Sequence, residues 1–137
     1  MKILCIDDEA DFREDLVEFL EDLGHEVVEA GDGAQGLEIV RAQQPDLIIC
    51  DRSMPRMTGT ELLQTLREDG LIPASLPFLF LTALDDRRDR HAAVHLNPTK
   101  YLTKPVDFDH LEALLSELEP QAERGPSVAD EAERKAG

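Results

Sequence analysis

The chain has 137 residues, which is enough for one compact domain with its own core, and we predict a single domain. Hydrophobic residues make up 42% and charged residues 32%, and no apolar run approaches the ~20 residues that cross a bilayer, so we expect no membrane insertion. The formal charge of -16 repels nucleic-acid phosphates, so we expect no direct nucleic-acid binding and favour a protein or metal partner.

The amino terminus is predicted to form a first strand, Lys2 to Ile6, that turns acidic at Asp7. This apolar stretch is too short for a secretory signal and has no cleavage site, so we expect a cytoplasmic protein. A helix should follow and end at Gly24. Its apolar stripe consists of Phe12, Leu16, Phe19, Leu20 and Leu23.

The middle of the chain continues the alternation of strands and helices. A short strand near residues 26–29 leads to a helix that ends near residue 43. The next apolar run, residues 47–50, is typical of a strand buried on both faces, and Asp51 follows it directly. Thr58 is suited to cap the third helix, and residues 78–82 form a fourth strand.

The last third contains a weaker helical segment, residues 86–94, which is charged nearly all round. Residues 99–103 are predicted to be a fifth strand, followed by a helix with leucines on one face. Five strands alternating with five helices indicate an α/β fold with a parallel sheet. After residue 119 the composition turns to Pro, Gly, Ala and charge, so we expect a domain at 1–119 and a disordered acidic tail at 120–137.

The two cysteines, Cys5 and Cys50, both fall in apolar strand-like runs. Small buried hydrophobic residues are far more common in such places than redox or metal-binding thiols. We therefore expect two free, buried thiols.

The residues with chemical potential follow the ends of the predicted strands. Asp7 and Asp8 follow the first strand, Asp51 the third, Thr82 closes the fourth, and Lys104 follows the fifth. Because ligands gather at the carboxyl ends of strands in an open parallel sheet, these side chains should converge. Three carboxylates in one crevice would repel one another, and a hard divalent cation, most plausibly Mg²⁺, is the simplest neutraliser.

A carboxylate beside a metal ion can attack phosphorus and form an acyl phosphate. The Thr82 hydroxyl and the Lys104 ammonium are both suited to phosphoryl oxygens. A lone aspartate at a strand end is more often a turn or cap residue. The combination, however, predicts that Asp51 is a phosphoryl acceptor.

Four segments together resemble the response-regulator receiver domains of two-component signalling, and the resemblance spans about residues 1–119. It implies a flavodoxin-like, doubly wound five-stranded sheet of order 2-1-3-4-5, phosphorylated on Asp51 by a phosphohistidine of a sensor histidine kinase or a histidine phosphotransfer protein. The segments that carry it are Asp7-Asp8, Asp51-Arg52-Ser53-Met54-Pro55-Arg56-Met57-Thr58-Gly59, Thr82-Ala83 and Tyr101-Leu102-Thr103-Lys104-Pro105.

The resemblance also implies a metal site. Asp8, Asp51 and the backbone carbonyl of Ser53 would coordinate Mg²⁺, and Asp7 would assist directly or through water. Mg²⁺ is the only cofactor that the resemblance implies.

A switch is implied as well. Lys104 would pair with the phosphoryl group, Thr82 would move to bond it, and Tyr101 would swing inward into the space that Thr82 vacates. The family has a cis peptide before the proline that matches Pro105, and proline is the residue that tolerates a cis bond. The change would reach a downstream protein target through the surface of the fourth and fifth helices.

Other functions stay open on the sequence alone. A Mg²⁺-dependent phosphatase or phosphotransferase with an aspartate nucleophile needs the same residues, but usually has a second aspartate two positions later, where this chain has Ser53. A receiver-like module that is never phosphorylated would be expected to lack part of the acidic and lysine set. We favour a stand-alone phosphoacceptor switch rather than an enzyme, and phosphorylation-dependent pairing of two copies stays open.

Overall fold

The computed structural model describes residues 1–54, 56–82 and 100–118. The chain divides into two units, one spanning Met1–Val106 and one beginning at Asp107. The first unit contains the sheet, and the described part of the second contains one helix.

The sheet contains five parallel strands in the order β2-β1-β3-β4-β5. This confirms the predicted α/β class and the strand order implied by the family resemblance. The order reverses between β1 and β3, so a crevice is expected beyond the carboxyl ends of these two strands. The strands are β1 (Lys2–Ile6), β2 (Glu26–Ala30), β3 (Leu47–Asp51), β4 (Phe78–Thr82) and β5 (Lys100–Thr103).

The described residues of the first unit form three helices: α1 (Ala10–Asp22), α2 (Gly33–Ala42) and α3 (Gly59–Glu68). The second unit contains α4 (Phe108–Leu118), whose buried leucines share one stripe, as the sequence predicts. The predicted helix at residues 86–94 and the predicted tail at residues 120–137 lie outside the described residues.

Two helix ends follow directly from local sequence. Gly24, just after α1, has a φ of 95°, a left-handed conformation that glycine adopts at little cost. At the start of α3, the Thr58 hydroxyl accepts the Glu61 amide N–H and the Glu61 carboxylate accepts the Thr58 amide N–H. This reciprocal cap fixes the position where α3 begins, eight residues of chain after Asp51.

The core is built around the two strands that are buried over their whole length, β3 and β4. Their continuous apolar sequences explain this burial, since both faces of a central strand are covered. Cys50 belongs to this core, and it and Cys5 are free and buried, as predicted. Helix α3 contributes Leu62, Leu63 and Leu66 to the same cluster.

Strand β2 forms one edge of the sheet, and its side chains are partly exposed. Glu26 and Glu29 are its two exposed residues. Lys2 lies 3.8 Å from the Glu26 carboxylate, and the Arg13 Nε donates to Glu29 Oε1 at 3.0 Å. The edge is therefore charged rather than apolar.

Within residues 1–54, 56–82 and 100–118, no helix is both long enough and apolar enough to cross a membrane.

Candidate functional site

The carboxyl ends of β1, β3, β4 and β5 bring the predicted site residues to one edge of the sheet. Asp51 is the last residue of β3 and is paired with Leu81 of β4. Thr82 closes β4, and its carbonyl accepts the Lys104 amide N–H at 2.8 Å. Asp7 follows β1 directly. The predicted convergence therefore occurs in the structure.

Lys104 is the centre of charge in this group. Its Nζ lies 2.8 Å from Asp7 Oδ2, 2.7 Å from Glu9 Oε1 and 3.3 Å from Asp51 Oδ2. The contact with Asp7 is an ion pair without hydrogen-bond geometry, whereas the other two are hydrogen bonds. Nζ also lies 4.7 Å from the centre of the Phe12 ring. One ammonium group is thus shared among three carboxylates.

The surroundings of Lys104 keep it charged. Burial by itself would lower the pKa of its ammonium, but the contacts with Asp7 and Glu9 and the charge of Asp51 together hold that pKa above its ordinary value. Lys104 is therefore a cation throughout the neutral pH range.

Asp51 is only 6% exposed, and its burial raises the pKa of its carboxyl group to about 6. The charge of Asp7 acts in the same direction, while the Ser53 amide N–H, at 3.0 Å from Oδ1, and Lys104 oppose it. A carboxylate with a raised pKa is a better nucleophile than an ordinary one and is still ionised near neutral pH.

Asp7, Asp8 and Asp51 can each present one carboxylate oxygen within 4.8 Å of the other two. Asp7 and Asp51 are buried, and Asp8 is exposed at the mouth of the group. Three hard anionic oxygens at this spacing fit a hard divalent cation, and Lys104 alone does not balance their charge. The donor set is therefore suited to Mg²⁺. Ser53 is exposed, and its described contact with Asp51 is through its amide N–H.

Thr82 is 1% exposed, and its hydroxyl has no hydrogen-bond partner in the part of the chain that the structure describes. An unsatisfied buried hydroxyl costs about 1–3 kcal/mol. This residue therefore has a hydroxyl ready for a new acceptor, at the end of the strand beside Asp51.

Tyr101 of β5 is half-buried and packs against the core. Its ring stacks on the Phe80 ring with centroids 5.6 Å apart and an interplanar angle of 23°. The Lys104–Pro105 peptide is cis, which confirms the bond that the family resemblance implies.

Two residues of the site receive no role from the sequence: Glu9 and Arg52. Glu9 is the N-cap residue of α1, but its side chain bonds Lys104 and does not cap the helix. That bond to Lys104 lowers the pKa of Glu9. Its position directly after Asp7 and Asp8 was the available signal. Arg52 gave no signal, because a charged residue after a strand usually lies in solvent.

The raised pKa of Asp51 predicts how stability depends on pH. Because the folded carboxyl group titrates near 6 and an ordinary one near 3.8, the folded state binds the extra proton between these values. Stability should therefore fall as the pH rises through this range. In Mg²⁺-free buffer, Asp51→Asn should unfold at a higher temperature than the wild type above about pH 7, and this difference should shrink towards about pH 4.

Thermal unfolding of both proteins across this pH range would measure the difference. Asp69→Asn, which changes an exposed aspartate just after α3, serves as the control and should show no comparable trend. A pH-independent difference between Asp51→Asn and the wild type would contradict the raised pKa.

Comparison with known proteins gives a consistent picture. Residues 3–116 match the family described as "Response regulator receiver domain". A probable transcriptional regulator of Porphyridium aerugineum, ycf27, is 34% identical over 126 residues, which cover 92% of this chain and 51% of that protein. The chain spans about half the length of the curated relatives it matches first.

Solved structures agree with the fold. The alignment with the structure of the Vibrio cholerae chemotaxis protein CheY4 covers 86% of this chain and 98% of CheY4, with a TM-score of 0.79 and 30% sequence identity. The alignment with a response regulator structure from Chloroflexus aurantiacus covers 85% of this chain and 95% of that protein, also with a TM-score of 0.79 and 30% sequence identity.

Proposed function

Because the chain belongs to the response-regulator receiver domains of two-component signalling, we propose that it is switched by transfer of a phosphoryl group to Asp51. The observation that carries this proposal is the contact group around Asp51: a buried carboxylate at a strand end, 3.3 Å from a lysine ammonium and close to two further aspartates. Membership of the receiver family supports a switch controlled by phosphorylation. The contact group supports Asp51 as the residue that accepts the phosphoryl group.

The phosphoryl donor would be a phosphohistidine of a sensor histidine kinase or a histidine phosphotransfer protein. An oxygen of the Asp51 carboxylate forms the new O–P bond as the P–N bond breaks. The imidazole leaves with the bonding electron pair and takes up a proton. Lys104, already charged and 3.3 Å from Asp51 Oδ2, stabilises the negative oxygens of the group in transfer.

A bound Mg²⁺ would add further neutralisation of the phosphoryl oxygens. Asp8, Asp51 and the Ser53 carbonyl would hold it, with Asp7 assisting. Asp7 is fully buried and paired with Lys104, so it also orients the ammonium group. This division of labour explains why two adjacent aspartates follow β1.

The readout would depend on Thr82 and Tyr101. The buried Thr82 hydroxyl would donate a hydrogen bond to a phosphoryl oxygen. Lys104 would pair with the phosphoryl group in place of one of its carboxylate partners. Tyr101 then moves inward and changes the surface offered to a downstream protein. An almost complete shift of such a two-state equilibrium needs a differential of about 5.5 kcal/mol.

We propose further that the receiver unit comprises residues 1–119 and acts by protein contact. Its chemistry would be limited to its own phosphorylation and dephosphorylation in the cytoplasm, with phosphorylation-dependent pairing of two copies as an additional readout. Protein contact fits the net charge of -16, which disfavours direct contact with nucleic acid.

The test is to incubate the chain with Mg²⁺ and a small phosphodonor, such as acetyl phosphate, and to record the intact mass. We expect a gain of one phosphoryl group that hydroxylamine removes, as it does for an acyl phosphate, and that a chelator prevents. Absence of any addition from small donors and from histidine kinases would overturn the proposal. Steady turnover of a small phosphomonoester would favour a phosphatase instead.

Mg²⁺ should stabilise the folded chain, because the three carboxylates that would hold it meet in the folded state. At roughly ten times its Kd, the ion should add about 1.4 kcal/mol to the free energy of unfolding. In Asp8→Asn this gain should largely disappear. Thermal unfolding with and without MgCl₂ measures the gain directly.

The matched control is Asp11→Asn, which removes an exposed charge from the first turn of α1 without touching the three carboxylates. It should keep the full gain. Equal gains in the wild type and Asp8→Asn would place the metal elsewhere.

A further inference from the structure

Arg52, which directly follows Asp51, is buried despite its charge. It is 5% exposed, and its Nη2 donates to the Thr60 hydroxyl at 2.9 Å. Its Cζ lies 5.3 Å from the centre of the Phe80 ring, within the range of a cation–π interaction. The guanidinium group is therefore held between the first turn of α3 and a core aromatic ring.

The backbone of Arg52 is fixed on both sides. Its amide N–H donates to the Leu81 carbonyl at 3.0 Å, and its carbonyl accepts the Gly59 amide N–H at 3.0 Å. These bonds tie the residue to β4 and to the start of α3. Arg52 therefore links the end of β3 to β4 and to the start of α3.

Phe80 contacts both Arg52 and Tyr101. It pairs with Tyr101 in the β4–β5 register, so the two side chains lie on the same face of the sheet. The Tyr101 ring stacks on the Phe80 ring, whose other described partners include Phe78 at 5.1 Å between centroids. Arg52, the chain neighbour of Asp51, thus contacts Phe80, and Phe80 in turn contacts Tyr101.

The dipole of α3 does not favour a cation at this position. The amino end of a helix carries a partial positive charge, so the dipole of α3 disfavours a guanidinium group beside Thr60, its second residue. Desolvating a guanidinium group also costs free energy that an apolar side chain of similar size would avoid. Among its described contacts, the guanidinium group lies against the Phe80 ring and bonds Thr60, so it is placed to set the position of that ring.

On the basis of the proposed function, we propose that Arg52 is a positioning residue that couples Asp51 to Tyr101 through the ring of Phe80. The route lies beside the one through Thr82 and uses different atoms. Removing the guanidinium group should leave the chemistry at Asp51 in place and weaken the response of Tyr101.

The chain provides its own probe, because Tyr101 is its one tyrosine and it has no tryptophan. Intrinsic tyrosine emission therefore reports on Tyr101 alone. Beryllofluoride with Mg²⁺ mimics the phosphoryl group, and its ¹⁹F resonance reports binding at Asp51 independently of the emission. The full chain is titrated and both signals are recorded for the wild type, Arg52→Leu, Arg52→Lys and Thr60→Val.

We expect Arg52→Leu to keep the bound ¹⁹F signal and to lose about half or more of the wild-type emission change. Arg52→Lys, which keeps the charge but not the planar group, and Thr60→Val, which removes the bond that holds it, should lie between the two. These milder variants test the proposal even if Arg52→Leu does not fold.

A full wild-type emission change in all three variants would overturn the coupling. Loss of the bound ¹⁹F signal in folded Arg52→Leu would also overturn it, because Arg52 would then act on binding. An absent ¹⁹F signal in the wild type would instead count against the phosphoacceptor function itself. The two failures are thereby distinguished.

Discussion

Asp51→Asn is expected to reduce phosphorylation by acetyl phosphate to background. The amide has no negative charge, so it is a poor nucleophile toward phosphorus and a weaker ligand for Mg²⁺. Asp7, a neighbouring carboxylate, is fully buried and paired with Lys104, so it is unsuited to replace Asp51. Intact mass after incubation with donor and Mg²⁺ measures the loss.

The fold should survive this change. An ionised Asp51 is held in a desolvated place that raises its pKa to about 6, so the neutral amide removes an electrostatic cost. A loss of phosphorylation in a variant that is at least as stable as the wild type must then come from the chemistry. Asp69→Asn should be phosphorylated like the wild type, and full phosphorylation of Asp51→Asn would place the acceptor on another residue.

Gly59→Ala is expected to have the largest effect on folding, about 3 kcal/mol of lost stability. A Cβ at position 59 would lie 2.5 Å from the carbonyl oxygen of Asp51 and 3.1 Å from Cα of Arg52. Both are backbone atoms at the end of β3, where the Arg52 carbonyl accepts the Gly59 amide N–H. Relief of the clash therefore requires the backbone at Asp51 and Arg52 to move. Urea unfolding measures the loss of stability, and Mg²⁺ affinity should fall with it.

Gly36→Ala is the matched control, because its added Cβ would also be crowded, at 2.6 Å from Cδ1 of Ile6. That atom is the tip of a flexible side chain, which can rotate away. Alanine also favours a helix interior over glycine by up to about 1 kcal/mol, which offsets the crowding. If Gly36→Ala destabilised the chain as much as Gly59→Ala, the backbone argument at position 59 would be wrong.

Most of the fold could be predicted from the sequence because its strands are clearly bounded. The run that ends at Cys50 is apolar without interruption, and such a run is typical of a strand buried on both faces. Thr58, followed three residues later by Glu61, marks a helix start in sequence alone. The predicted first, fourth and fifth strands and the predicted start of α3 are confirmed to within a residue.

The site could be predicted in outline but not in its contacts. Asp51, Thr82 and Lys104 lie at or just after the carboxyl ends of their strands. The topology of a parallel sheet therefore predicts that they lie close together. The direction in which a long side chain points depends on its packing in the folded protein. Hydrophobic periodicity in the sequence carries no information about that packing. The sharing of Lys104 with Glu9 and the burial of Arg52 are of this second kind. The metal-binding role of the Ser53 carbonyl stays a prediction.

The charged edge strand β2 has a consequence for behaviour at high concentration. An open strand edge offers unpaired backbone groups that can template addition of a strand from another molecule. Glu26 and Glu29, two like charges on one five-residue strand, would face the same charges on any copy that docked there in register. Side-by-side sheet extension is thus discouraged at this edge, which helps an acidic signalling protein stay dispersed in a crowded cell.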